Sequence, residues 1–145
     1  MNNLMLYFAY GSNMEPKRMR KRCPGVRTMG PARLPNYRLT ERLYADIDFA
    51  EGEHVDGVLY LITDRHLRRL DACEGYPKIY RRMWLEVEFY GESYPAAIYE
   101  MTAETKAVRN GLEYPEEYRK VCSAGAQFHH VRNAFARKRK KHHGR

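Results

Sequence analysis

The chain has 145 residues, 43% hydrophobic and 30% charged, which suits one soluble domain with one core and excludes an extended disordered chain. No apolar run approaches the roughly 18 residues needed to cross a membrane. The formal charge is +8, but residues 131–145 hold seven Lys/Arg and no acid, so the rest of the chain carries a net +1. The excess is therefore a terminal block, read either as a solvated tail or as a weak, salt-sensitive contact for polyanions. Three widely spaced cysteines, Cys23, Cys73 and Cys122, form no CxxC pair and indicate neither a disulfide framework nor a zinc site. A reducing cytoplasm fits them best.

The run LMLYFAY, residues 4–10, reads as a buried first strand, too short for a span and without the basic flank of a signal peptide. It breaks into Gly11-Ser12-Asn13, and Pro16 then opens a short basic helix that ends at Cys23-Pro24-Gly25. That helix, residues 17–22, reads as a solvated face. ARLPNYRLTE, residues 32–41, predicts an edge-like strand interrupted by Pro35, and EHVDGVLYLIT, residues 53–63, a strong strand. Asp64 is placed to cap a helix that Gly75 ends. In RRMWLEVEFYG, Met83, Leu85, Val87 and Phe89 alternate with Arg82, Trp84, Glu86 and Glu88, and SYPAAIYEM should return beside it. YPEEYRKVCSAGA predicts a last helix opening at Pro115 and ending at Gly125. Strands outnumber helices, so the expected fold is α+β: a small mixed, strongly curved sheet or barrel with flanking helices. The domain is drawn over residues 1–126, with 127–145 as a basic extension, partly helical or disordered.

Two stretches can carry chemistry. At Gly11-Ser12-Asn13, glycine can take positive φ and admit a ligand to the backbone, while successive N–H groups at a strand-to-helix corner can form an anion nest. An ordinary turn and helix cap explains the same residues. In RRLDACEG, Leu67, Leu70, Asp71 and Glu74 share a helical face. Glu74 lies at the helix C-terminus, one turn beyond Asp71; both features, with burial, would raise its pKa toward that of a general acid/base. A solvated Glu at a frayed helix end is the competing reading. Cys73 has no His partner, and the adjacent pairs His129-His130 and His142-His143 chelate poorly.

The combination YFAYGSNM near the N-terminus and LDACEGY some sixty positions on resembles the γ-glutamylcyclotransferase-like family. The likeness runs through ARLPNYRL, DGVLYLIT, YPAAIYEMT and YPEEYRKVCSAGA, about residues 4–126. It departs at GYPKI and at QFHHV, which bear on substrate choice. The resemblance implies a small mixed β-barrel with flanking helices and an enzyme that cyclises a γ-glutamyl group to 5-oxoproline, with no metal or cofactor. It implies Glu74 as the acid/base, and Tyr10, Gly11, Ser12, Asn13 and Met14 as the loop that cradles the γ-glutamyl head. Tyr80, Tyr99 and Tyr118 match pocket tyrosines by position. Two rivals stay open: another γ-glutamyl amide as substrate, and a non-catalytic module that contacts nucleic acid through its tail.

Overall fold

The apolar N-terminal run forms β1, Leu4–Ala9, followed by one turn of 3-10 helix, Ser12–Met14, and by α1, Pro16–Arg22. The Glu15 carboxylate caps α1 by accepting from the N–H groups of Lys17 and Arg18, and Pro16 fills a first-turn position that needs no donor. The computed structural model describes residues 3–136. Residues 137–145, which hold most of the charge behind the expected polyanion contact, lie outside the described residues.

A long hairpin follows, made of β2, Arg27–Arg42, and β3, Tyr44–Thr63, turning at Leu43 with φ 67°. The sequence predicts strands only over 32–41 and 53–63; the structure carries strand through Asp46 and Asp48, residues that strands disfavour. Tertiary ion pairs override that preference. Arg42 lies 2.8 Å from Asp46 and 2.9 Å from Asp48, and Lys106 meets both carboxylates and Glu100. Asp46 is fully buried and accepts from the Met101 N–H at 2.8 Å. Nor is β2 an edge: it runs beside β3 and joins the next strand at Arg33↔Glu88. Pro35 is absorbed by a register shift in which Asn36 takes φ 65°.

Helix α2 spans Asp64–Glu74. Its cap is Thr63 rather than Asp64: the Thr63 hydroxyl accepts from His66 N–H, and the His66 ring accepts in return from Thr63 N–H. Gly75 ends it at φ 66°. Strands β4, Tyr80–Phe89, and β5, Glu92–Met101, form the expected hairpin. β5 then runs parallel to β1 at Tyr7↔Ala97, which closes a barrel in the order β1-β3-β2-β4-β5. Phe8, Leu34, Ile47, Val58 and Ile98 are among its buried core.

Two helices complete the fold: α3, Ala103–Arg109, and α4, Glu116–Phe128. α3 is unforeseen from the sequence, although Thr102 caps it and Asn110-Gly111 ends it. α4 does not stop at Gly125. That glycine is where the helix touches the turn after β1: an added Cβ would lie 2.5 Å from Glu15 N and 2.8 Å from Met14 Cβ. The packed chain also continues past residue 126, with Val131 and Phe135 buried in the core. Among the described residues no helix is long and apolar enough to cross a membrane.

Gly125→Ala is expected to destabilise the protein by about 1 to 3 kcal/mol, because the turn beneath it cannot retreat without leaving the barrel. Urea unfolding of the two proteins measures this; unchanged stability would show that the turn moves freely.

Candidate active site

A cavity of about 330 Å³, of small-molecule size, is lined by residues of β1, β3, β4 and β5 and of the corner after β1. The 3-10 turn uses the Met14 N–H on the Gly11 carbonyl and the Glu15 N–H on the Ser12 carbonyl. The N–H groups of Gly11, Ser12 and Asn13 precede the first bond of the turn and carry no partner among the described residues. The corner is held at every side chain. Asn13 donates to the Tyr7 hydroxyl at 2.9 Å and accepts from Arg22 at 2.8 Å, and its carbonyl accepts from the Tyr60 hydroxyl at 2.8 Å. Ser12 accepts from Arg18 at 3.2 Å. Gly11 does not use positive φ; its φ is −122°. Space requires it instead, since a Cβ would lie 2.9 Å from the Tyr118 hydroxyl and 3.1 Å from Ala45 Cβ.

Glu74, the last residue of α2, lines the same cavity and is half-buried. Burial raises its carboxyl from 4.5 to about 7, against a smaller opposing pull from Arg22. Asp71 does not contribute as the sequence analysis expects. It is committed to an ion pair with Arg82 and to the Tyr99 hydroxyl, which donates to it at 2.6 Å. α2 thus ends with two carboxyls one turn apart. One is paired; the other is desolvated and near neutral pKa.

Tyr10, Gly11, Ser12, Asn13, Tyr80, Tyr99 and Tyr118 all line the cavity with Glu74, whereas Met14 does not. Met14 is 1% exposed and belongs to the core beneath the turn. The tyrosine hydroxyls mostly brace the walls. Tyr10 donates to the Tyr99 carbonyl, Tyr80 donates to the Ala45 carbonyl at 3.1 Å, and Tyr118 accepts from the Ala45 N–H at 3.0 Å. Tyr7, unforeseen from the sequence, also lines the cavity, and its proton has no acceptor among the described residues. Burial, and then the Glu74 charge, push its pKa well up, so it remains a neutral donor.

Arginines unforeseen from the sequence also reach the cavity. Arg18 and Arg22 of the basic helix line the cavity rather than forming a solvated face, joined by Arg109 from α3. The i,i+4 spacing of Arg18 and Arg22 carries a signal that both share one side of α1. Nothing in the local pattern around Arg109 points to a cavity. Among the described residues no group of three His, Cys, Asp or Glu could hold a metal ion.

The closed five-stranded barrel flanked by helices is the fold shared with solved γ-glutamyl cyclotransferase-like structures. The family model described as Gamma-glutamyl cyclotransferase, AIG2-like, matches residues 7–123, and the chain belongs to that family. A solved γ-glutamyl cyclotransferase is 25% identical with a TM-score of 0.72, covering 88% of this chain and 80% of its own. The uncharacterized human protein loc79017 is 27% identical with a TM-score of 0.74, over 87% of this chain and 80% of its own. YkqA from Bacillus subtilis is 26% identical with a TM-score of 0.70; the match covers 87% of this chain and 49% of YkqA. No curated protein matches the sequence.

A carboxyl raised from 4.5 to about 7 binds its proton more tightly folded than unfolded. Its contribution to stability is complete below 4.5 and is lost as pH rises through about 7. Glu74→Gln stays neutral at every pH. Its stability relative to the parent should therefore increase between about pH 4 and about pH 8, by about 2 kcal/mol after allowance for partial exposure. Urea melts across that range check this; a difference independent of pH would mean that Glu74 titrates normally.

Proposed function

We propose that this protein cyclises a γ-glutamyl amide to 5-oxoproline and releases the amine. Glu74, as carboxylate, takes a proton from the substrate's α-ammonium. The freed nitrogen attacks the γ-carbonyl carbon of the same molecule, and a tetrahedral intermediate forms with its charge on the former carbonyl oxygen. Glu74 then returns the proton to the departing nitrogen as the carbon–nitrogen bond breaks, and the second proton, shed by the new ring nitrogen, passes through Glu74 to the released amine, which leaves as an ammonium. The substrate loses no atom except through that bond, and the enzyme ends as it began.

The nucleophile is tethered to its target, so the main contribution asked of the protein is orientation, worth about 7 to 11 kcal/mol in well-aligned intramolecular reactions. The free N–H groups of Gly11, Ser12 and Asn13 suit an α-carboxylate or the developing oxyanion. The Tyr7 hydroxyl is a further neutral donor in the same cavity. The observation that carries the reading is a glutamate held near pKa 7 in one cavity with that donor turn.

Glu74→Gln should keep the fold and the affinity for 5-oxoproline while losing roughly 10²- to 10⁴-fold in kcat. Release of 5-oxoproline from γ-glutamyl conjugates is the assay, and near-parental turnover in the variant would sink the assignment. For the parent, kcat/KM should rise with pH and level off above about 7, following the ionisation of Glu74.

A further inference from the structure

The cavity is charged in one direction. Its lining includes Arg18, Arg22 and Arg109, and Glu74 is the sole acid among its described residues. Elsewhere in the protein Arg42, Arg82 and Arg119 are each tied to a carboxylate. Among the described residues Arg18, Arg22 and Arg109 have no ion-pair partner. Arg18 and Arg22 bond instead to Ser12 and Asn13, beside the donor turn. Arg109 comes from a different element, and its guanidinium carbon lies 5.4 Å from the centroid of the Tyr44 ring. An aromatic face holds a cation without consuming its hydrogen-bond donors as a carboxylate would.

The backbone around Arg109 is fixed in place. The next residue, Asn110, accepts from Arg42 at 2.6 Å, and the Leu112 carbonyl accepts from Leu43 N–H at 2.8 Å. One turn back, Lys106 is anchored on Asp46, Asp48 and Glu100. Tyr44 is braced edge-on against Tyr118, with ring centroids 4.9 Å apart. The Tyr80 hydroxyl responds to both charges: beneath the dominant effect of burial, Glu74 raises its pKa and Arg109 lowers it.

We propose that Arg109 is a specificity-determining residue that binds a carboxylate on the leaving amine, so that the protein favours γ-glutamyl amino acids over γ-glutamylamines. The inference rests on the function proposed above. If the donor turn with Arg22 receives the α-carboxylate and Glu74 receives the α-ammonium, the leaving portion extends along the wall formed by Tyr44, Ala45, Tyr80 and Arg109. A γ-glutamylamine is a neutral zwitterion and leaves Arg109 without a counter-charge. A γ-glutamyl amino acid carries one more carboxylate, which the planar guanidinium can grip with two parallel hydrogen bonds.

The test compares γ-glutamyl-alanine with γ-glutamyl-ethylamine, which differ by that carboxylate alone, on the parent, Arg109→Gln and Arg109→Lys. The readout is the ratio of kcat/KM for 5-oxoproline release, which does not depend on how much of a variant is folded. The parent should prefer the alanine conjugate by about tenfold or more, mainly through KM. Arg109→Gln should bring the ratio close to one, and Arg109→Lys should keep part of it, because a point charge replaces the fork. Equal use of both conjugates by the parent, or an unchanged ratio in Arg109→Gln, overturns this inference and leaves the proposed reaction standing. No 5-oxoproline from either conjugate overturns both.

Discussion

The seating of the Ser12–Met14 turn is the constraint on which the cavity depends. Asn13 uses both ends of its amide and its own carbonyl to join Tyr7, Arg22 and Tyr60. Gly125 lets α4 press directly on the backbone of Met14 and Glu15. Between those contacts the turn has little freedom, and its N–H groups are held where no other part of the described chain uses them. Donors fixed in advance need no reorganisation when charge develops beside them, which is what gives such a corner its value in a partly desolvated cavity.

The same packing separates the two carboxyls at the end of α2. Asp71 and Glu74 lie on one helical face, and their spacing alone predicts that Asp71 raises the pKa of Glu74. In the folded protein Arg82 and Tyr99 engage Asp71, and burial acts on Glu74 without its participation. Two acids one turn apart acquire different states because one is given partners and the other a poorly solvated surface. Burial is the cause that raises the Glu74 carboxyl, and neither Asp71 nor any other acid takes part in it.

The opposite wall depends on a second buried carboxylate. Asp46 receives the Met101 N–H and the charges of Arg42 and Lys106. That fixes Ala45, whose N–H and carbonyl hold Tyr118 and Tyr80. A buried acid in a strand is costly unless paired and hydrogen-bonded. Here the pairing ties the long hairpin to β5 and α3 and carries Tyr44 and Arg109 to the mouth of the cavity.

Short-range order determined much of this in advance. The alternation of β4, the turn at Gly75 and the abrupt YGSN corner each follow from local pattern, because strand faces, helix ends and strand-to-helix breaks are set by neighbours in the chain. Those signals sufficed for a curved α+β sheet and for Glu74 and Gly11–Asn13 as site candidates. Tertiary structure decided the rest. Asp46 and Asp48 sit in a strand because Arg42 across the hairpin turn and Lys106 far along the chain neutralise them, and Gly11 and Gly125 are glycines because another element passes within contact distance. Met14 turned inward to the core, and Arg22 and Arg109 turned to the cavity, for the same reason: which way a side chain faces depends on what lies across from it, and those neighbours are dozens of residues away in sequence.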